Sequence, residues 1–163
     1  VRSVTHALTI WQPWANAIVW CGKDIENRGW APWPDIIGKT IAIHAGKVFD
    51  EDGALSIGFG WSAGRLKFTE SQLLRLSTDL CPKGAIVGVA RVTGFVRTST
   101  SPWFNGPIGW KLADAFPLDA PVFCRGAQGL WVLPPDVRQA LATRERHQDA
   151  PSDKAIEHVE DES

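Results

Sequence analysis

The sequence predicts an α+β domain: a small mixed β-barrel with a few flanking helices. Three observations predict it. Apolar, β-branched or alternating runs at residues 7–11, 39–45, 84–96, 108–112 and 130–133 read as strands, whereas helical spacing recurs at 13–21, 69–80 and 134–142. The strand at 84–96, GAIVGVARVTGFV, is interrupted by glycines, as barrel strands often are where they bend. Nine tryptophans against no tyrosine suit the filling of a small barrel, because one indole buries a large apolar area. At 163 residues the chain fits one domain able to bury a core. We divide it into a domain at 1–143, with an insertion at 46–82 that carries one helix over the barrel, and an acidic, disordered tail at 144–163.

Residues 7–30, ALTIWQPWANAIVWCGKDIENRGW, hold the most information. Residues 7–11 form a short buried strand. Gln12-Pro13 then opens a helix, since proline at a first helical position forfeits no hydrogen bond. Trp14, Ala17, Ile18 and Cys21 recur at helical spacing along one face, and Gly22 follows where a left-handed residue closes a helix. Lys23-Asp24-Ile25-Glu26-Asn27-Arg28 is thereby delivered to a fixed place as a polar cluster, bracketed by Trp14 and Trp30. A solvated loop is the plain alternative.

Further along, two prolines make 31–35 a turn. Residues 39–45 alternate, so if Ile41 and Ile43 face the core, His44 faces outward, to meet the cluster or to bond a neighbouring backbone group. The glycine-rich 58–64 reads as a loose loop or a lid. Thr69 with Gln72 forms a capping box ahead of Leu73, Leu76 and Leu80. Both faces of 84–96 look buried around the lone charge Arg91, which reaches solvent or an acidic partner. The loop at 101–107 sets Trp103 between prolines, a candidate for an exposed stacking ring. Arg125-Gly126-Ala127-Gln128-Gly129 lets backbone approach a ligand, or turns a barrel corner, and 130–133 closes the sheet.

Composition excludes several classes. No stretch approaches the roughly 20 apolar residues of a membrane span and no secretion signal opens the chain, so a soluble cytoplasmic protein without membrane contact is expected. Cys21, Cys81 and Cys124 match no metal or redox spacing and read as buried thiols, with one reactive at most. Neither a metal nor a cofactor is expected. In residues 1–143, 14 Lys and Arg stand against 11 Asp and Glu; in 144–163, 3 stand against 7. Such a field is too weak for non-specific duplex binding, so local contacts in a pocket must dominate.

If the cluster converges, the amides of Gln12 and Asn27 can read a base edge, Lys23 or Arg28 can take a phosphate or carbonyl oxygen, and Trp14, Trp30 or Trp103 can stack. Glu26 and His44 complete the set. The expected partner is single-stranded RNA or a modified nucleoside, with a protein partner through the acidic tail as a separate reading. Lys23 with Glu26 also permits hydrolytic chemistry.

The order Gln12-Pro13-Trp14, Gly22-Lys23, Glu26-Asn27-Arg28, Trp30, Ile43-His44-Ala45 resembles the ASCH domain family of the PUA-like β-barrel superfamily. GAIVGVARV, SPW, GPIGWKL and CRGAQGLWVLP extend the resemblance in patches to Pro134. It implies a PUA-like barrel and RNA or nucleoside recognition. One branch of the superfamily hydrolyses acetylated cytidine with a lysine, a threonine and a glutamate. Lys23 matches that lysine, Glu26 stands in the threonine's place, and the distant glutamate has no counterpart. Ribonuclease activity is also implied for the wider family, without paired histidines here to support it.

Overall fold

A computed structural model describes residue 1 and residues 3–151. In chain order its elements are β1 (His6–Gln12), α1 (Trp14–Trp20), β2 (Ile25–Arg28), β3 (Thr40–Phe49), α2 (Glu51–Ser62), α3 (Glu70–Leu74), a 3-10 turn (Thr78–Leu80), β4 (Ala85–Val96), β5 (Ile108–Phe123), β6 (Leu130–Val132) and α4 (Pro135–Ala142). The strands make one mixed six-stranded sheet, ordered β2-β5-β4-β3-β1-β6. β1 and β3 run parallel and the remaining pairs antiparallel.

The sheet is not closed into a barrel, which corrects the expected architecture. Closure needs the two edge strands to exchange backbone hydrogen bonds. Here β2 pairs only with β5 and β6 only with β1, so β6 ends the sheet instead of sealing it. The sheet nonetheless curls far enough for Arg28 on β2 to donate from Nη2 to the Thr9 carbonyl on β1, the strand next to the far edge, at 2.7 Å. One guanidinium spans this open seam.

Apolar residues cover both faces. Ile41, Ile43 and Ala45 of β3 join the larger core with Ile18, Val87 and Trp110, under α1. Ala42 joins a second core with Val89, Val122, Val137 and Leu141, under α4. The strand pattern is therefore buried on both sides over residues 41–46, and His44 lies inside, where outward exposure was expected. β4 is likewise buried on both faces through Ala90, and Arg91 pairs with Asp114 at 2.8 Å.

The 46–82 segment carries two α-helices and a 3-10 turn, where a single helix was expected. α2 occupies the glycine-rich stretch: Asp50 caps it by accepting from the Gly53 N–H. Two of its three glycines are demanded by packing, since a Cβ on Gly53 would stand 2.7 Å from the Trp14 ring and one on Gly60 2.9 Å from Leu66, whereas Gly58 faces open space. The Thr69–Gln72 capping box forms as its residues predict, but the helix stops at Leu74 and leaves Leu80 exposed. Residues 144–151 pack on the body, with Arg146 bridging to Leu118 and His147 against Trp20. The rest of the acidic tail, 152–163, lies outside the described residues.

Candidate functional site

α1 and the turn at Gly22, whose φ of 72° suits glycine, do deliver the Lys23–Arg28 segment to a fixed place. Lys23 is buried; Nζ donates to the Ile25 carbonyl and lies 3.4 Å from Glu26 Oε2. Glu26 Oε1 in turn stands 3.8 Å from Arg28 Nε. Loss of hydration lowers the Lys23 pKa from its ordinary value, against the opposing pull of Glu26. Lys23, Glu26 and Arg28 thus form one chain of buried and half-buried charge, and the plain reading of a solvated loop fails for these three.

Thr9 extends the chain toward His44. Its hydroxyl donates to the Ala127 carbonyl at 2.6 Å and accepts from Trp131 Nε1 at 2.9 Å. His44 Nδ1 lies 3.3 Å from the same oxygen. Nε2 lies 3.1 Å from the Cys124 carbonyl, which can only accept, so Nε2 carries the proton and Nδ1 is left as an acceptor. Burial lowers the His44 pKa, with that carbonyl opposing, which keeps the ring neutral. Gly126 closes the lid over it, because a Cβ there would overlap the imidazole. His44 is thereby sealed and bonded to backbone, and with the Thr9 proton already given to Ala127 its Nδ1 lies beside Thr9 without a hydrogen bond to the charged chain.

Other expected contributors are occupied. Gln12 is fully buried and places Nε2 on Asn16 Oδ1 at 3.0 Å and the Pro82 carbonyl at 2.9 Å, while Oε1 accepts from the Asn16 N–H. Asn27 donates to the Trp103 carbonyl and accepts from the Asn105 and Gly106 N–H groups, hanging the 101–107 loop from β2. Neither amide is free to read a base. Trp14 donates to Asp50 and lies under Lys23, 5.7 Å from Nζ to the ring centroid. Trp103 is half-buried against the larger core, not the free ring that its proline neighbours suggested.

Two groups keep capacity. Among the described residues the Glu26 carboxylate accepts one long hydrogen bond, from Lys23 Nζ at 3.4 Å, with Arg28 Nε at 3.8 Å, and that buried Nε has no hydrogen-bond partner. Trp110 faces Glu26 in register across β5, and Trp30 stands edge-on to it with centroids 4.9 Å apart and its own face partly exposed. Thr9, Trp110 and Trp131 escaped the sequence reading; the tryptophan in GPIGWKL and the glycines of CRGAQGLWVLP were the signals present. A groove of about 1720 Å³ lies beside this cluster, lined in part by Gly22, Asp24 and Trp103, and a smaller hollow of about 300 Å³ by Cys124, Arg125 and Val137. Neither is lined by Lys23, Glu26, Arg28 or His44, so the expected open cleft among those four is absent from both hollows.

Burial pushes the Cys21 thiol up to about 12, with Cys81 adding to it, and raises Cys81 to about 12 against the pull of Lys83. Both are unreactive at neutral pH. Among the described residues no helix is long and apolar enough to cross a membrane.

No family model matches the chain, and no curated protein matches it. Among solved structures, an ASCH protein from Zymomonas mobilis aligns with 86% of this chain and 96% of its own, at a TM-score of 0.54 and 14% identity. A tyrosine-to-phenylalanine variant from the same organism aligns with 86% of this chain and 98% of its own, at 0.54 and 15%. The chain has the ASCH fold, in agreement with the order of its motifs.

Proposed function

Given an ASCH-type fold, we propose that the chain binds an unpaired base of single-stranded RNA, or a free modified nucleoside, at the seam between β2 and β1. The Glu26–Arg28 pair carries this reading: a buried carboxylate whose one hydrogen bond among the described residues is a long one from Lys23 Nζ at 3.4 Å, beside a buried guanidinium Nε with no hydrogen-bond acceptor among the described residues. Burying an ion costs several kcal/mol (order of magnitude) and is offset only where its hydrogen bonds are made. The shortfall is supplied by a ligand that brings a donor and an acceptor side by side. A base edge does so, with an exocyclic amine for Glu26 and a carbonyl or ring nitrogen for Arg28. Trp30 offers the stacking face, while Gln12, Asn27 and His44 hold the framework.

Calorimetric titration with cytidine, acetylated cytidine and short single-stranded RNA tests it. Micromolar association is expected for the parent, weakened about tenfold or more in Glu26→Gln and Arg28→Met, in line with loss of charge-assisted hydrogen bonds. No heat from any of these ligands overturns the reading.

One observation favours a second reading, hydrolysis of an acylated nucleoside or of RNA. Desolvation moves Lys23 toward its neutral, nucleophilic form, and Glu26 at 3.4 Å is placed to exchange a proton with it. Product from acetylated cytidine or labelled RNA, abolished in Lys23→Met, is the outcome that would favour it; unchanged substrate on chromatography removes it.

A further inference from the structure

The groove beside the cluster is built from parts that the base site does not use. Its floor is the C-terminal end of α1 with Gly22 and Asp24, which flank the buried Lys23. One wall is the segment at 61–75, fastened to α1 by Gln72 Nε2 donating to the Trp20 carbonyl at 2.9 Å. The other is the loop at 100–103, which Asn27 holds through the Trp103 carbonyl. The motif that positions Glu26 and Arg28 therefore also fixes a wall of this groove.

We propose that this groove takes the nucleotides flanking the bound base, as a track for single-stranded nucleic acid; the proposal rests on the base-binding reading above. Its size is the first argument. At about 1720 Å³ it exceeds the roughly 300–1,000 Å³ of a small-molecule pocket, and it is partly open to solvent, which leaves room for more than one nucleotide. Its chemistry is the second. Arg65 and Lys67 line it with exposed cationic heads, and Arg75 lies with its guanidinium carbon 4.0 Å from the Trp20 ring centroid, a cation held flat on an aromatic face. Trp61 and Phe68 lie nearly parallel, 11° between planes, and with Trp103 they line the groove.

Cations interleaved with aromatic rings are what an unpaired strand requires: phosphates for the first, base faces for the second. A duplex hides its base faces and would engage only the cations, too few to hold it at physiological salt. Two acids also line the groove. Asp24 is engaged by the Ser101 hydroxyl at 2.6 Å, and Asp149 lies where the described chain leaves the body, so the cationic wall is the one formed by 61–75.

The test is fluorescence anisotropy of labelled oligouridylates, from about three to about twelve nucleotides, against the parent chain and the double variant Arg65→Glu/Lys67→Glu. Both positions are exposed, so the fold is expected to survive, with circular dichroism as the check and Arg65→Ala/Lys67→Ala as the milder variant. Affinity of the parent should rise with length. The double variant should lose about tenfold or more on the longest strand, and its log affinity should fall less steeply with log salt, by about 1.4 for two phosphates on a single strand. Nucleoside binding should be unchanged. Single-stranded DNA should show the same loss, because the contacts are to phosphates and base faces. Equal length dependence in parent and double variant, or a parent that binds nucleoside but gains nothing with length, overturns the track and leaves the base site standing. A parent that binds neither nucleoside nor strand removes both readings.

Discussion

At Lys23 two effects oppose each other, and their balance has a sign that can be measured. Burial lowers the pKa of the amine below its ordinary value of 10.5, while the Glu26 carboxylate raises it, and burial is the larger. Between the lowered folded pKa and the unfolded value, the unfolded chain binds more protons than the folded one, so stability rises with pH across that window. Below the folded pKa both states are charged and the contribution is at its minimum. The stability difference between the parent and Lys23→Met, from urea melts, should therefore grow in the parent's favour from neutral pH to about 10. If pairing with Glu26 dominated instead, the folded pKa would lie above 10.5, and the difference would stay level over the same range and fall only at higher pH. Which side chains are polar around Gly22 was legible in the sequence; what each of them bonds to was not. Gln12, Asn27 and His44 have the chemistry expected of them, but each spends it on a partner 70 to 80 positions away, at Pro82, Trp103 and Cys124. Local spacing carries no record of such partners.

Elements were legible where one physical signal acted alone. The capping box at Thr69, the stop at Gly22 and the continuous apolar run of β4 each have a local cause, and each is found where that cause lies. α2 was not, because its glycines lower helix propensity while two of them serve close packing against Trp14 and Leu66. β5 runs on to Phe123 past Asp114 and Pro117, with three shifts of register against β4, and such irregularities interrupt the alternation that marks a strand. The loop at 101–107 is fixed from outside, by Asn27 on β2, and that dependence supports an element-scale expectation. Asn27→Ala removes three hydrogen bonds to the loop and should cost about 1–3 kcal/mol in a denaturant melt. It should also weaken binding of a long RNA strand more than binding of a nucleoside, since Trp103 then leaves its wall while Glu26 and Arg28 stay on theirs. Equal losses on both ligands would place Asn27 in the base site.

For the whole molecule, the open seam is the feature that the sequence could not announce, because closure depends on how far a sheet curls, and that is set by long-range pairing. Charge was legible at this scale. Residues 1–143 carry an excess of cations, and residues 152–163 carry five acids against one lysine. That acidic stretch follows Pro151, which lines the groove beside the cationic wall of Arg65 and Lys67. If the groove takes nucleic acid, anionic side chains tethered to Pro151 should compete with phosphates for the same field at a high effective concentration. The competition is electrostatic, so it weakens as the screening length falls from about 30 Å at 10 mM salt to about 8 Å at physiological salt. Truncation after Pro151 leaves the packing of Arg146 and His147 intact. It should tighten single-stranded RNA binding about two- to fivefold at low salt, with the gain gone near physiological salt, and leave nucleoside affinity unaltered. Anisotropy titrations of parent and truncated chains across that salt range decide it. A gain independent of salt would mean that the removed residues act by bulk instead of charge, and no gain at any salt would mean that they do not reach the groove.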